Sequence, residues 1–372
     1  MALELAGIPD PSLAVPAILG VGTALPPNLI DQEALAELLR NHWGERYAGS
    51  RRWQATFDQI QRSVHVHHRY LSRPVSDYLA LDTFAKANAA WFEEAPKIAV
   101  TAARNALESA RMQPGDIDYL FFVTGTGIAT PSVDARIVNL LGMRQNIRRT
   151  PIFGLGCAGG VAGVGRAADV LRAFPDKVAM VVSVELCSLT FQRTDASIAN
   201  IIGSALFGDG GAAVVLGGSK IADRAAITAP RIVSSRSIFY PETEPMMGWE
   251  VVDAGLKIKL SPAIPDLVRA NLGGNVDAML ADHGLKRSAI KHWIAHPGGN
   301  RVLEALAQAL ELPPDALEAS WRMLGETGNL SSASVLFVLH DLLERGASAG
   351  DLGVMLAMGP GFCAELALLQ WV

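Results

Sequence analysis

The chain has 372 residues, of which 50% are hydrophobic and 19% are charged, and its formal net charge at pH 7 is −5. This length and composition predict one large globular unit or two domains and exclude an intrinsically disordered chain. The negative net charge argues against a nucleic-acid-binding protein, and no apolar run is long enough to span a bilayer.

The first residues and the cysteines predict a protein of the reducing cytoplasm. The opening stretch MALELAGIPDPSLAVPAILG has no basic segment and carries early prolines and acids, so it does not predict a signal peptide. Cys157, Cys187 and Cys363 match no zinc-binding spacing, and three cysteines do not suggest a disulfide scaffold. We therefore expect no metal site.

Helices and strands alternate along the first part of the chain. The pattern predicts a helix over 97–112 and a strand over 117–127 (IDYLFFVTGTG). A helix rich in small residues follows over 156–173, and a strand follows over 177–186 (KVAMVVSVEL). Alternation of this kind is typical of layered α/β packing.

The second part of the chain repeats this order. A helix over 265–285 and a strand over 290–299 (IKHWIAHPGG) precede a second helix that begins with small residues, over 328–346, and a strand over 352–359. Asp118 precedes Cys157 by 39 positions, and Lys291 precedes Asn329 by 38. The matched offsets predict a duplicated α/β unit, with halves 1–225 and 226–372 and the two small-residue helices buried at the centre.

The stretch GLGCAGG allows two interpretations. Gly154, Gly156 and Gly159 form G-x-G-x-x-G, which indicates a dinucleotide-binding turn, and Glu185 could then contact a ribose. Cys157 lies inside the same motif at the predicted start of a helix, where the helix macrodipole favours a thiolate. The second interpretation predicts a nucleophile.

A nucleophilic cysteine needs a base or cation and a donor that stabilises an oxyanion. His296 ends the strand WIAH, and Asn329 stands in GETGNLSS at the start of the second small-residue helix. If the halves pack about a pseudo-two-fold axis, both helix starts meet, so we expect Cys157, His296 and Asn329 to share one pocket. Taken singly, each residue could instead be structural: an inert thiol, a hydrogen-bonded histidine, a helix-capping asparagine.

Several segments resemble type III polyketide synthases, the family of chalcone and stilbene synthases with the thiolase fold. They are GLGCAGG, ALFGDGGAAV, WIAHPGGN, GETGNLSSASVLFVL and GPGFCAE, in this order along the chain. The resemblance implies five layers, α-β-α-β-α, with two buried central helices. It also implies a catalytic triad of Cys157, His296 and Asn329 and a gatekeeping aromatic at Phe207.

The resemblance further implies which residues line the substrate pocket: Thr126, Thr190, Gly203, Ile258 and Ser331. Ile258 replaces a second aromatic of the plant enzymes, which favours an aliphatic chain over a ring. The segments GLGCAGGVAG and SVELCSLTFQ look most like bacterial members that make alkylpyrones or alkylresorcinols from fatty acyl starters.

The activity implied is an iterative decarboxylative Claisen condensation. Malonyl-CoA extends an acyl starter held on Cys157, and the starter comes from acyl-CoA or from an acyl carrier protein. The resemblance implies no metal or redox cofactor. It also implies a homodimer, in which the loop at Thr130 reaches towards the partner's pocket.

The stretch FDQIQRSVHVHHRYL carries few of the cations with which the plant enzymes hold CoA phosphates. Arg62 and Arg301 are weak candidates for this role, and His68 and Arg69 are further ones. Two other functions stay open: a ketoacyl-ACP synthase III-like enzyme that condenses once, and an NAD-dependent oxidoreductase that uses the GLGCAG turn. Cys187 is either a second reactive thiol or packed behind its strand.

Overall fold

The structure, a computed structural model, describes residues 15–47, 50–225 and 229–372. The strands in these ranges are β1 Ala17–Ala24, β2 Asn28–Asp31, β3 His68–Leu71, β4 Tyr119–Thr124, β5 Arg148–Phe153, β6 Val178–Leu186, β7 Asp209–Gly217, β8 Pro230–Phe239, β9 Met247–Val252, β10 Gly255–Leu260, β11 His292–Ala295, β12 Leu352–Gly359 and β13 Cys363–Trp371. The α-helices are α1 Gln32–Tyr47, α2 Arg51–Ser63, α3 Phe84–Ser109, α4 Val133–Leu141, α5 Gly159–Ala173, α6 Ile198–Leu206, α7 Ser219–Ala225, α8 Ile264–Ala281, α9 Asn300–Leu310, α10 Glu318–Thr327 and α11 Ser334–Arg345.

The main sheet of the described residues consists of two half-sheets. Its strand order is β11-β12-β13-β8-β1-β7-β6-β4-β5, so the strands after residue 229 lie on one side and those before residue 225 on the other. The halves meet where β1 runs antiparallel to β8, and Ala17 opposite Arg231 is the residue pair in register there. Such a narrow junction leaves side-chain packing to hold the halves together.

The helices complete the five layers that the resemblance implies. Helix α3 packs against β1, β7 and β6 on the outer face of the first half-sheet, and α8 with α9 covers the outer face of the second. Helices α5 and α11 contact each other and both half-sheets, and their apolar residues form one core with the inner faces of the strands. The predicted fold class is therefore confirmed.

Small residues let the two central regions approach closely. A Cβ atom added to Gly160 of α5 would lie 2.2 Å from the backbone oxygen of Ser332, which stands just before α11. A Cβ atom on Gly163 would lie 2.9 Å from Cγ1 of Val181 in β6. Since only glycine avoids these overlaps, the sequence of α5 fixes how near α11 and the sheet can lie.

The elements differ from the predictions mainly at their ends. The helix predicted over 97–112 is the second part of α3, which begins at Phe84 and contains Pro96. Proline removes one helical hydrogen bond and favours a helix start, but Ala90, Trp91 and Ala95 are buried before it and hold the helix against the sheet. No helix within the described ranges is long and apolar enough to cross a membrane.

Candidate active site

Cys157 stands in a short 3₁₀ turn, Gly156–Ala158, that leads into α5. Gly156 adopts a φ of 44°, in the left-handed region that favours glycine, and packs against Pro360. The thiol is buried, and its Sγ lies 3.8 Å from the hydroxyl oxygen of Ser331. The turn therefore holds a buried thiol at the start of a central helix.

Asn329 lies between α10 and the 3₁₀ turn Ser331–Ala333 that leads into α11. Its side-chain oxygen accepts a hydrogen bond of 2.8 Å from the backbone N–H of Ser331. Its amide nitrogen donates one of 3.2 Å to the carbonyl of Gly298. Because the oxygen is occupied in this way, the group that Asn329 can still offer to a ligand is its second N–H.

His296 follows β11 and is anchored by a backbone hydrogen bond of 2.9 Å to the carbonyl of Leu356. Its imidazole is buried, and neither ring nitrogen has a hydrogen-bond partner among the described residues. The ring lies against Gly298, where an added Cβ atom would be 3.4 Å from its Cδ2. Gly298 in turn binds Asn329, so Cys157, Ser331, Asn329 and His296 form one buried group, which we call the polar cluster.

Burial changes the protonation of this cluster. It raises the pKa of the Cys157 thiol to about 12, although the hydrogen bond with Ser331 lowers it, and it lowers the pKa of His296 to about 3. Burial thus outweighs the effect of the helix macrodipole, and a lone thiolate is disfavoured. By burial alone, both groups are therefore neutral near pH 7.

Glu185 is a buried acid that the sequence analysis considered only as a ribose ligand. Its carboxylate accepts hydrogen bonds of 2.9 Å from the backbone N–H of Gly125 and the hydroxyl of Thr126, and another from Ser332. Burial raises the pKa of Glu185, and its charge in turn raises the pKa of Cys157. Thr126, predicted to line the pocket, is engaged in this network.

The dinucleotide interpretation of the glycine turn is wrong. A Cβ atom on Gly156 would lie 2.7 Å from Cδ of Pro360, and one on Gly159 would lie 2.6 Å from Cγ1 of Val123. Pro360 therefore fills the space beside Gly156, the glycine at which a pyrophosphate would need an open approach to the backbone. The glycines serve close packing of the chain.

Phe207 connects the polar cluster with a neighbouring cavity. It follows the last residue of α6 and forms a β-bridge with Asn329. The backbone N–H of Asn329 donates to the carbonyl of Leu206 at 2.9 Å, and that of Gly208 donates to the carbonyl of Asn329 at 3.0 Å. Backbone hydrogen bonds thus join the segment of Phe207, the candidate gate residue, to that of Asn329, a catalytic candidate.

A cavity of about 460 Å³, which we call the apolar cavity, lies beside Phe207. Four of the six predicted pocket residues line it: Thr190, Gly203, Phe207 and Ile258. Of the remaining two, Ser331 contacts Cys157 and Thr126 binds Glu185. The wall also includes eight apolar residues that the sequence analysis did not identify: Leu35, Leu38, Leu39, Leu71, Val75, Leu79, Phe191 and Trp249.

Trp249 adds an aromatic side chain to the wall beside Ile258. The hairpin of β9 and β10 pairs Ile258 directly with Trp249, and both line the cavity. The indole lies 6.3 Å from the ring of Phe207, at an interplanar angle of 48°. The wall therefore contains an aromatic side chain from the neighbouring strand. Its position beside Ile258 follows from the pairing of the two strands.

The other two thiols have different surroundings. Cys187 lines the apolar cavity, so it does not merely pack behind its strand, and burial raises its pKa well above the ordinary value. Cys363 is buried and donates a hydrogen bond of 3.3 Å to the carbonyl of Pro360. Burial therefore disfavours the thiolate of Cys187 as it does that of Cys157.

The candidate residues for CoA binding differ in their solvent exposure. Arg62 in α2 and Arg301 in α9 are exposed, and neither forms an ion pair with another described residue. Arg69 is fully buried, so the suggestion that it holds a phosphate is wrong. No group of three or more His, Cys, Asp or Glu side chains in the described part of the chain is placed to hold a metal ion.

Comparison with known proteins covers nearly the whole chain. Residues 12–220 match the family model for the N-terminal domain of chalcone and stilbene synthases, and residues 231–372 match that for the C-terminal domain. A 1,3,6,8-tetrahydroxynaphthalene synthase from Streptomyces peucetius subsp. caesius is 46% identical over 356 residues, 95% of this chain and 93% of the relative. A putative chalcone synthase from Bacillus subtilis is 38% identical over 95% of this chain and 98% of its own.

A solved structure of a type III polyketide synthase also matches nearly the whole chain. The crystal structure of 1,3,6,8-tetrahydroxynaphthalene synthase from Streptomyces coelicolor A3(2), a bacterial type III polyketide synthase, matches with a TM-score of 0.86 and 30% identity. The match covers 95% of this chain and 99% of that one.

Proposed function

The chain belongs to the chalcone and stilbene synthase family, so it is a type III polyketide synthase with a thiolase-like fold and an acyltransferase-type enzyme, and we propose that the polar cluster is its catalytic site. In this proposal Cys157 is the nucleophile, His296 is its base, and His296 with Asn329 binds the thioester oxygen. The observation that carries the proposal is the burial of a thiol, an asparagine amide and an imidazole without a hydrogen-bond partner among the described residues in one contact network.

Loading of the starter uses the pair of Cys157 and His296. The proton of the thiol moves to the imidazole, and Sγ attacks the carbonyl carbon of an acyl thioester. The bond from that carbon to the sulfur of CoA breaks, and the CoA thiolate takes the proton back from His296. The starter is then a thioester on Cys157, and the imidazole is neutral again.

Extension uses the donors of the cluster. The thioester oxygen of malonyl-CoA accepts hydrogen bonds from His296 and from the second N–H of Asn329. The bond to the carboxylate breaks, carbon dioxide leaves, and the electron pair forms an enolate whose oxygen these donors stabilise. One such donor contributes about 10²–10³-fold in rate. The enolate carbon then attacks the acyl carbonyl on Cys157, and the thiolate leaves.

The apolar cavity supports an aliphatic acyl starter, with cyclisation to an alkylpyrone or alkylresorcinol. Its walls are mainly leucine, valine, isoleucine and aromatic side chains, which favour a hydrocarbon over a charged or strongly polar group. Phe207 lies between this cavity and Asn329, where an acyl chain and an incoming malonyl group both have to pass.

A second candidate product is tetrahydroxynaphthalene. The observation that favours it is the 46% identity to a protein named 1,3,6,8-tetrahydroxynaphthalene synthase. Trp249 and Phe207 also give the cavity an aromatic side that a flat ring system fits. In this case no fatty acyl group is needed.

Product analysis separates these candidates. The purified protein is incubated with isotope-labelled malonyl-CoA alone, and then together with unlabelled acyl-CoA starters of increasing length. We expect products that carry one unlabelled alkyl chain and several labelled two-carbon units. A fully labelled tetrahydroxynaphthalene from malonyl-CoA alone would establish the second candidate. A single two-carbon extension would indicate a ketoacyl synthase-like reaction, and no product from any starter would overturn the proposal.

For substrate delivery we propose that Arg62 and Arg301 contact the phosphates of CoA or of a carrier protein's phosphopantetheine. Both are exposed cations without an ion-pair partner in the described residues. The charge-reversal variants Arg62→Glu and Arg301→Glu should raise KM for malonyl-CoA with little change in kcat. An unchanged KM in both variants would exclude this role.

We also propose that the enzyme is a homodimer and that the halves 1–225 and 226–372 each contribute one side of the site. Strand β5 lies at the edge of the main sheet, where unpaired backbone groups can bond to another chain, and most of its residues are exposed. Thr130 is also exposed. Sedimentation of the purified protein as a monomer at micromolar concentration would contradict the dimer.

A further inference from the structure

Arg69 is a charged side chain that the reaction described above does not use. It lies in β3, and its exposed fraction is 0%. A buried guanidinium is costly unless it is paired and hydrogen-bonded. The hydrogen bonds of Arg69 therefore indicate its role in the structure.

The guanidinium binds the end of α6 and the residue after it. One terminal nitrogen donates to the carbonyls of Ser204 and Phe207, each at 2.9 Å. The other donates to the carbonyl of Ala205 and to the side chain of Gln32. The last carbonyls of a helix lack partners within it and carry partial negative charge, so a cation there is favourable.

The remaining carbonyls of this turn are bound by the backbone. The N–H of Phe207 donates to Gly203 at 3.0 Å, and the N–H of Asn329 donates to Leu206 at 2.9 Å. Arg69 and Asn329 therefore hold the same turn from two sides. A shift of the turn would move the ring of Phe207 and the backbone of Asn329 together.

A buried carboxylate balances the charge. Asp209, two residues after Phe207, attracts Arg69 and accepts hydrogen bonds of 2.7 Å from the backbone N–H groups of Ser72 and Ser188. Gly208 between them packs closely, since an added Cβ atom would lie 2.4 Å from the carbonyl of Thr327 and 3.3 Å from Cβ of Arg69. The segment from Ser204 to Asp209 is thus fixed at both ends.

We propose that Arg69 is a positioning residue for chain extension, which sets the orientation of Phe207 and the place of Asn329 by holding the carbonyls of Ser204, Ala205 and Phe207. This role rests on the proposed function, because it acts through the gate and the oxyanion donor. Arg69 does not touch the Cys157 thiol, whose hydrogen bond goes to Ser331. Loss of Arg69 should therefore impair malonyl-CoA decarboxylation and extension far more than the reactivity of Cys157.

The test compares Arg69→Lys and Arg69→Ala with wild type. Lysine keeps the charge but cannot reproduce the planar fork that reaches several carbonyls at once. We expect both variants to release carbon dioxide from malonyl-CoA about 10²-fold more slowly, the order of loss that a misplacement of about 1 Å causes. Alkylation of Cys157 by iodoacetamide should stay within about twofold of wild type, since the Cys157 turn is not displaced.

Rescue by a small molecule gives a second measurement. Arg69 lines the apolar cavity, so its deletion leaves a space that guanidinium ion can reach from there. Millimolar guanidinium should raise the decarboxylation rate of Arg69→Ala severalfold and leave Arg69→Lys unchanged. The matched control is Arg287→Lys, where the arginine binds Asp277 at 2.6 Å and the carbonyl of Ala309 at 3.3 Å, far along the chain from this turn. It should behave as wild type.

Each outcome decides one question. If the wild-type protein releases no carbon dioxide from malonyl-CoA, the proposed function fails. If wild type is active and Arg69→Lys equals it, only the positioning role fails. If alkylation and decarboxylation fall in the same proportion, with a lower melting temperature and no rescue by guanidinium, Arg69 serves folding alone and the inference is overturned.

Discussion

The polar cluster and the apolar cavity lie on two sides of Phe207 and are built in different ways. In the cluster each group is fixed by the backbone: Cys157 by its 3₁₀ turn, His296 by the end of β11, and Asn329 by bonds to Ser331 and Gly298. The cavity wall is an assembly of side chains from α1, the turn at Val75–Ala80 and the hairpin β9–β10. The proposed chemistry therefore relies on groups held by the backbone, whereas the proposed substrate cavity is formed by side chains that can be replaced one at a time.

The largest expected effect separates the two thiols. Cys157→Ala removes the nucleophile of the cluster, so we expect no acyl-enzyme by mass spectrometry and a loss of product of at least ~10⁴-fold. Cys187→Ala removes a thiol of the cavity wall and should still form the acyl-enzyme. Acylation that survives in Cys157→Ala, or disappears in Cys187→Ala, would reverse the roles assigned to the two sides.

The next effect concerns protonation inside the cluster. In His296→Ala the thiol loses its proton acceptor, and burial alone then keeps the pKa of Cys157 above its ordinary value. A raised thiol pKa means less thiolate at neutral pH, so alkylation by iodoacetamide at pH 7 should slow by ~10²-fold or more. Its rate should then keep rising with pH towards the thiol pKa of about 12, whereas the wild-type rate levels off earlier. Identical pH profiles would show that His296 does not share the proton of Cys157.

A smaller effect tests the rigid packing behind the cluster. Gly160→Ala places a Cβ atom 2.2 Å from the backbone oxygen of Ser332, so we expect the free energy of unfolding to fall by about 1–3 kcal/mol. Gly274 in α8 is exposed with no atom within 4 Å of an added Cβ, and Gly274→Ala should stabilise by up to about 1 kcal/mol. Urea denaturation measures both. If Gly160→Ala and Gly274→Ala had equal free energies of unfolding, α5 and the segment that leads into α11 could move apart without cost.

The smallest effect should be confined to the cavity. Trp249→Ala enlarges the space beside Phe207, so kcat/KM for a longer acyl starter relative to a shorter one should rise about tenfold. Alkylation of Cys157 should not change, because the polar cluster is untouched. Val251→Ala on the same strand, where the side chain is 65% exposed, is the matched control. A changed starter ratio in the control would assign the effect to the hairpin rather than to the indole.

The different construction of the polar cluster and the apolar cavity also explains which of their residues could be predicted from the sequence. Cys157, His296 and Asn329 each follow a local signal, a glycine turn, a strand end or a helix start, and the repeated offsets relate them. The layered fold follows from the same repeat and is confirmed. Trp249 could not be predicted, because its place depends on its pairing with Ile258 across a hairpin. Arg69 was misassigned for a similar reason, since its burial depends on β3 lying against the end of α6.

Strand β13 lies inside the second half-sheet, between β12 and β8, although it is the last strand in the described part of the chain. The second half-sheet is therefore complete only when Cys363–Trp371 pairs with both neighbours. Before this pairing, the edges of β8 and β12 that face it expose backbone groups to which other chains can bond. We expect protease resistance of the second half-sheet to appear late in refolding, when this strand is inserted.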